Sequence, residues 1–325
     1  MNSIDVLKQF TVDKPQPLMG AKTIQLILMR EILDYTVLRT EETRELNTVT
    51  TPLSIEQESE SVVRVAFLAT KQKASESRML EQMLRTASSE AKLNPVECYL
   101  KDNLCLQCPR CGLFGGTSVT SGKGDLANIK HRILYGTAFS LMPFEDIESA
   151  TTFNGINDLN QTTGQALGTR YAVQPATVFP SIVSLRSATM TELILTIKTL
   201  LASRSYGAES RIGGDVRNSI YGIVAGWEEV ITPLELSLEL YDRRNEISPT
   251  TVQNVVNRYR SLTGNPSKVQ ILTPEQVAEV VEYATATELS KEFLVSAYKD
   301  IEEYRTVQSG GKPKVAKGKQ PKPKE

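Results

Sequence analysis

Four cysteines fall within fourteen residues of a 325-residue chain, and the rest of the chain contains none. Cys98, Cys105, Cys108 and Cys111 are spaced C-x6-C-x2-C-x2-C. Such clustering ties one stretch of backbone to a point and makes it fold around that point. A Cys-x2-Cys pair in a tight turn aims two sulfurs at one centre, which suits a single tetrahedral Zn2+. Pro109 and Gly112 are placed to supply that turn. Four thiolates would close the coordination shell, so the expected site is structural rather than catalytic. An iron–sulfur cluster and unligated thiols in a loop are the other readings of the same donor set. Disulfides are disfavoured, because Met1 to Phe10 lacks the basic segment and apolar stretch of a secretory signal. His131, twenty residues further on, is an alternative to Cys98 as the fourth ligand.

His131 is also the only histidine. That excludes histidine-pair metal sites and any mechanism needing two imidazoles. The formal net charge is -1, from 37 basic and 38 acidic residues, so a nucleic-acid site has to be a local stripe. No run approaches the length of a membrane-spanning helix, and a cytoplasmic protein is expected.

The chain divides into three regions and a tail. In the first, residues 23–29, 35–38 and 61–68 read as strands, and 41–60 reads as a polar, mobile excursion. Met79, Leu80, Met83, Leu84 and Ala87 then form one apolar helical stripe. Lys71, Lys73, Ser75, Ser77 and Arg78 precede that helix, where a helix N-terminus favours an anion; a solvated charged turn explains them equally well. The middle region, about 92–185, is rich in Gly, Thr and Asn. It has a strand candidate at 132–135, an inserted loop or hairpin at 151–168, and strand candidates at 171–179 and 182–185. The third region is mostly helical. Thr189 to Glu192 has the capping-box pattern, and helices also start at Ser248-Pro249 and Thr273-Pro274. From Gly310 the chain is Lys- and Pro-rich and is expected to be disordered.

Few motifs promise chemistry. Residues 206–214 form a Gly-rich loop that contains Arg211 and lies between Arg204 and Arg217; it suits phosphate, but taken alone a surface turn explains it better. Gly122-Lys123-Gly124 lacks the Walker spacing, and no nucleophile elbow is present. Trp227 is most simply core, and Glu228-Glu229 and Glu302-Glu303 read as solvated faces. Strands, a helix, further strands and an interrupted second half fit an α+β core of the ferredoxin-like or RRM-like type, a sheet recurrent in RNA binding.

Four segments within about residues 20–230 now carry a resemblance. They are Cys108 to Gly115, Val173 to Phe179 with 182–185, the helix from Thr189 to Leu201, and the loop from Tyr206 to Gly214. In this order they resemble the CRISPR-associated RAMP proteins, specifically the backbone subunit of type I-D interference (Cascade-like) complexes. Ala176 stands where that family's strand motif usually has glycine. The resemblance implies an RRM-like palm with a thumb hairpin (about 151–170), a zinc-bearing insertion (about 92–131) and a helical region (about 232–309). Residues 1–309 then form one domain with insertions, and 310–325 a tail.

It also implies copies stacked head-to-tail along a guide RNA, with other CRISPR subunits as neighbours and target DNA or RNA paired to the guide. A protein that must not read guide sequence needs phosphate and sugar contacts. The expected RNA-binding residues are Lys71, Lys73, Ser75, Arg78, Lys123, Arg170, Phe179, Arg204, Tyr206, Arg211 and Arg217. Catalysis is not expected. RAMP processing nucleases usually use a histidine, and target-cutting backbones an aspartate on a loop after the first strand, whereas Tyr35 to Lys101 contains no aspartate. Asp158 is the best remaining carboxylate, although a turn-forming residue explains it better. The competing functions are a RAMP endoribonuclease and a zinc-stabilised scaffold without nucleic acid.

Overall fold

A computed structural model describes residues 3–39, 45–94, 97–99, 104–117, 128–208 and 214–308. Its elements in chain order are α1 (Ser3–Lys8), β1 (Thr23–Ile32), β2 (Thr48–Pro52), β3 (Ser61–Phe67), α2 (Ala69–Glu90), α3 (Pro109–Phe114), β4 (Gly116–Thr117) and β5 (Asn128–Ile129). Next come β6 (Ile133–Tyr135), β7 (Ala138–Phe139), α4 (Phe144–Ile147), β8 (Glu148–Asn157), β9 (Thr162–Val173), β10 (Val178–Arg186), α5 (Met190–Ala202) and β11 (Val216–Gly226). The last group is α6 (Pro233–Tyr241), α7 (Pro249–Tyr259), β12 (Gln270–Ile271), α8 (Pro274–Ala286) and α9 (Lys291–Gln308).

The main sheet has the strand order β12-β11-β1-β10-β6, and every neighbouring pair is antiparallel. β1 lies at its centre because its alternate residues bury two different faces. Ile24, Leu26 and Leu28 join Val183, Leu185 and Ile223 under α2, α5 and α8. Ile27 and Met29 join Ile182 and Val224 under α6 and α7. Both faces of the sheet are therefore covered. α5 begins with the capping box expected at Thr189 and Glu192.

Several expectations change. Residues 35–38 form no strand, only a bridge between Thr36 and Val173. Part of the supposed excursion is β2, paired in register with β3. Of the two readings of residues 151–168, loop or hairpin, the structure has the hairpin, β8 antiparallel to β9. The run 171–179 is split: the chain turns between Val173 and Val178, and Ala176 takes φ +65° there. That is the left-handed region glycine tolerates without cost. Trp227 is not core; it is 46% exposed, with the Lys268 ammonium 5.2 Å from its ring centroid. Glu228 is tied down rather than free, accepting from the Gly264 and Asn265 amides at 2.9 Å.

Candidate nucleic-acid interface and metal centre

The helix α2 begins at Ala69, so Lys71, Lys73, Ser75 and Arg78 lie on its first three turns rather than before it. The early start follows from a buried stripe that begins at Gln72 and continues through Glu76, Leu80, Leu84 and Ser88. Gln72 donates to the Phe67 carbonyl at 2.7 Å and to the Gly136 carbonyl at 3.1 Å, which closes the helix entry. Lys71 and Lys73 are half-buried, and burial lowers the pKa of each. Lys71 donates to the Arg39 carbonyl at 2.9 Å. Arg78 is exposed.

The other expected residues separate by burial. Arg204 and Arg217 are exposed, and Arg217 pairs with Glu31 of β1. Arg170, Phe179 and Tyr206 are 7%, 0% and 1% exposed, so they present no surface of their own. Phe179 and Tyr206 each pack edge-on against Phe67, with centroids 5.7 and 5.4 Å away. Lys123 and Arg211 lie outside the described residues, as does the tail.

Tyr206 belongs to a buried polar network that the sequence did not announce. Arg30 continues the Ile24–Leu28 face of β1 one step further and meets Glu76 of α2 at 2.7 Å, both side chains fully buried. Arg30 also donates to Ser181, Asn218 and the Tyr206 hydroxyl. Glu76 accepts from the Tyr206 hydroxyl at 2.7 Å and from the Tyr135 hydroxyl. Burial alone would lower the pKa of Arg30, but the Glu76 carboxylate more than offsets it and the net shift is upward. Burial and Glu76 together raise both tyrosines, so they stay protonated donors. Asn218 of β11 ties Tyr206 to the end of α5 through the Leu200 and Ser203 carbonyls. The ion pair thus joins β1 and α2 to β6, β10, β11 and the start of the Gly-rich loop.

The four cysteines meet. The Sγ atoms of Cys98, Cys105, Cys108 and Cys111 all lie within 4.8 Å of one another, and Cys98 and Cys111 are 3.5 Å apart. Four thiolates around one ion at 2.3 Å stand about 3.8 Å apart. The donor set therefore fits a single metal ion. Cys108 caps α3, its sulfur accepting from the Cys111 amide at 3.4 Å, and Pro109 occupies the first helical position. Cys105 accepts in the same way from the Gln107 amide. Hydrogen bonds from the other three thiols, helped by the Arg110 guanidinium, hold Cys111 well below the ordinary thiol range. Cys98 is drawn down to about 7, chiefly by its hydrogen bond with Cys105. His131 is not in the cluster. It is exposed, and burial with the nearby cations Lys73, Lys130 and Arg186 lowers its pKa. Its backbone instead packs on Gly115, whose φ is +73°; a Cβ there would come within 2.8 Å of the His131 nitrogen. Ile301 and Tyr304 of α9 close the cluster from behind.

With fold and site in hand, likeness to known proteins decides the family. The sequence pattern of the Csc2 CRISPR family matches residues 9–302. The chain belongs to the Csc2 CRISPR family. The crystal structure of Thermofilum pendens Csc2 superposes with a TM-score of 0.65 at 20% identity, over 94% of this chain and 97% of that one. This Csc2-family chain therefore shares the mixed α+β fold of that protein. A chain of a CRISPR RNA-guided surveillance complex matches at 10% identity, with a TM-score of 0.49, over 81% of this chain and 99% of its own length. One from such a complex in a pre-nicking state matches at 9% and 0.46, over 74% and 89%. At that level neither adds to the argument. No curated protein matches significantly. Csc2 membership supports a role as a backbone subunit of a CRISPR surveillance complex. Among the described residues, no helix is long and apolar enough to cross a membrane.

Proposed function

We propose that this Csc2-family chain is a non-catalytic, cytoplasmic backbone subunit of a type I-D surveillance complex that holds guide RNA through sugar–phosphate contacts. The observation that carries the proposal is the family match across residues 9–302. The strand order agrees with it. β1, α2, β6, β10, α5 and β11 follow one another as β-α-β-β-α-β, and the strands lie in the order β11-β1-β10-β6. This is the ferredoxin-like pattern and supports an RRM-like palm. The β8–β9 hairpin is the thumb, and α6 to α9 form the helical region. The insertion around the cysteines holds a structural Zn2+, through Cys98, Cys105, Cys108 and Cys111. A bound ion there supplies cross-linking and no reaction, since four protein ligands leave no open position.

RNA binds through Lys71, Lys73, Ser75 and Arg78 of α2, and through Arg204, Arg217, Lys123 and Arg211 around the two Gly-rich segments. Arg170, Phe179 and Tyr206 act from inside, holding strands and loop in place. Copies stack head-to-tail, other CRISPR subunits cap the filament, and target DNA or RNA pairs with the guide.

The endoribonuclease reading draws no support from Asp158. It lies in the exposed turn of the hairpin, where Asn157 and Asn160 accept from the Leu159 and Thr162 amides. That is ordinary turn chemistry. Co-expression with a repeat array tests the proposal. The protein should purify with RNA of defined length, and the complex with complementary RNA and Mg2+ should leave that RNA intact. Absence of RNA would sink the binding role. Regular cuts lost on Asp158→Ala would replace it with the nuclease.

A further inference from the structure

Opposite its buried stripe, α2 carries a second stripe: Lys71, Ser75, Arg78, Gln82 and Arg85, spaced i, i+4, i+7, i+11 and i+14. Its three cations recur every seven residues, about 10.5 Å apart at 1.5 Å per residue. The structure continues the row into a cavity of about 190 Å3 between α2 and the cysteine segment.

Three guanidinium groups line this cavity: Arg78, Arg85 and Arg110. Arg110 is only 5% exposed, and its position is fixed. Its Nε donates to Ser77 Oγ at 2.8 Å, and its Nη1 lies 3.8 Å from Cys111 Sγ. Among the described residues one carboxylate lines the space, Glu81; Arg85 engages it at 3.2 Å and also donates to the Cys98 carbonyl. Arg78 is exposed, and its contact with Ser75 Oγ is long, at 3.4 Å. Tyr99 stands at the rim, 49% exposed.

The size and chemistry of the space select the ligand. Sites that engulf a whole small molecule run to about 300–1,000 Å3, so this one admits a group rather than a molecule. Convergent guanidiniums match the oxygens of phosphate. An exposed aromatic ring at the rim offers a face on which a base of any identity can stack.

We propose that the cavity binds one phosphate of a nucleic-acid strand running along the Lys71–Arg78 stripe, with a neighbouring base stacked on Tyr99. The site rests on the nucleic-acid reading above and deepens it, fixing where along α2 the strand is clamped. It also places that clamp against the metal centre, with Arg110 touching both. The competing role for the arginines is to balance the charge of the thiolates. Arg78 and Tyr99 separate the two, because among the described residues no hydrogen bond joins either side chain to a cysteine sulfur.

The test uses the full chain, fluorescence anisotropy with a labelled oligouridine across a salt series, and zinc analysis of every variant. Arg78→Gln should weaken binding about tenfold and lower the salt slope by about one ion, with metal content unchanged. Tyr99→Ala should weaken binding by about tenfold with the slope unchanged. The inference is overturned if both variants bind like the parent while Lys71→Glu/Lys73→Glu does not; that result removes Arg78 from the contacts and leaves guide binding through Lys71 and Lys73 standing. It is overturned equally if Arg78→Gln loses metal along with RNA. A parent chain that binds no oligouridine would overturn the site and the broader reading together.

Discussion

Replacing Glu76 with alanine is the most severe single truncation the buried network allows. The change removes the carboxylate that, among the described residues, pairs with a fully buried guanidinium, and it orphans two hydroxyls, Tyr135 and Tyr206. Breaking a buried ion pair from one side costs about 3–5 kcal/mol, and each orphaned buried donor about 1–3 kcal/mol. The three groups share one carboxylate, so their losses overlap, and about 4–7 kcal/mol is expected in total. Typical domains hold only about 5–15 kcal/mol. With a urea m-value of about 3 kcal/mol/M, the unfolding midpoint should fall by about 1.3–2.3 M. The companion variant Arg30→Met/Glu76→Leu removes both charges and fills the same space. It should recover most of the loss, because apolar replacement of a buried pair is often neutral or better. A midpoint for Glu76→Ala within about 0.3 M of the parent would refute the reasoning, since Arg30 must then reach water. So would a double variant no more stable than the single one.

Other outcomes follow from the same contacts. Cys108→Ser/Cys111→Ser should abolish binding of about one zinc per chain and lower Tm, whereas His131→Ala should leave metal content unchanged; elemental analysis and thermal scans read both. Charge reversal at Lys71 and Lys73 should weaken RNA binding steeply at low salt and flatten its salt dependence, measured by anisotropy. Burial raises the pKa of Tyr135 and Tyr206 above 10.0 and that of Tyr259 to about 12. The unfolded chain ionises first, so stability should be full below about pH 10 and fall as pH rises beyond it, tracked by urea midpoints against pH. Ala176→Gly should stabilise by up to about 1 kcal/mol, as the strain of φ +65° is relieved and part of the gain is lost to backbone entropy.

The cysteine cluster was legible because four cysteines in fourteen residues leave few other arrangements. The choice of Cys98 over His131 was not legible. It depends on α2 bringing the 98 segment back to α3, with Arg85 of α2 bonding the Cys98 carbonyl. β1 and α5 announced themselves by alternation and by a capping box. β11 did not: Gly222, Asn218 and Ser219 dilute its apolar pattern, and its register shifts beside Ile27 and Leu28 of β1. A Cβ at Gly222 would stand 3.3 Å from side-chain carbons of Ile27 and Val252, so both would have to give way slightly. The network of Arg30, Glu76 and Tyr206 was not legible, because nothing local says that their charges and hydroxyls satisfy one another. Arg85 was readable, at the same seven-residue step that joins Lys71 to Arg78, and only the cavity beside it gives the step a meaning.

The two-sided burial of the main sheet has a consequence for information. Proteins that read RNA letters on a sheet of this kind lay bases across an open face and sort them by stacking and edge contacts. Here α6 and α7 occupy one face and α2, α5 and α8 the other. A strand is left with helix flanks and loop rims, where it offers only its repeating anionic spine and an occasional ring. Under the proposed role, a carrier built this way would be indifferent to sequence by construction, so one scaffold would serve guides of any sequence.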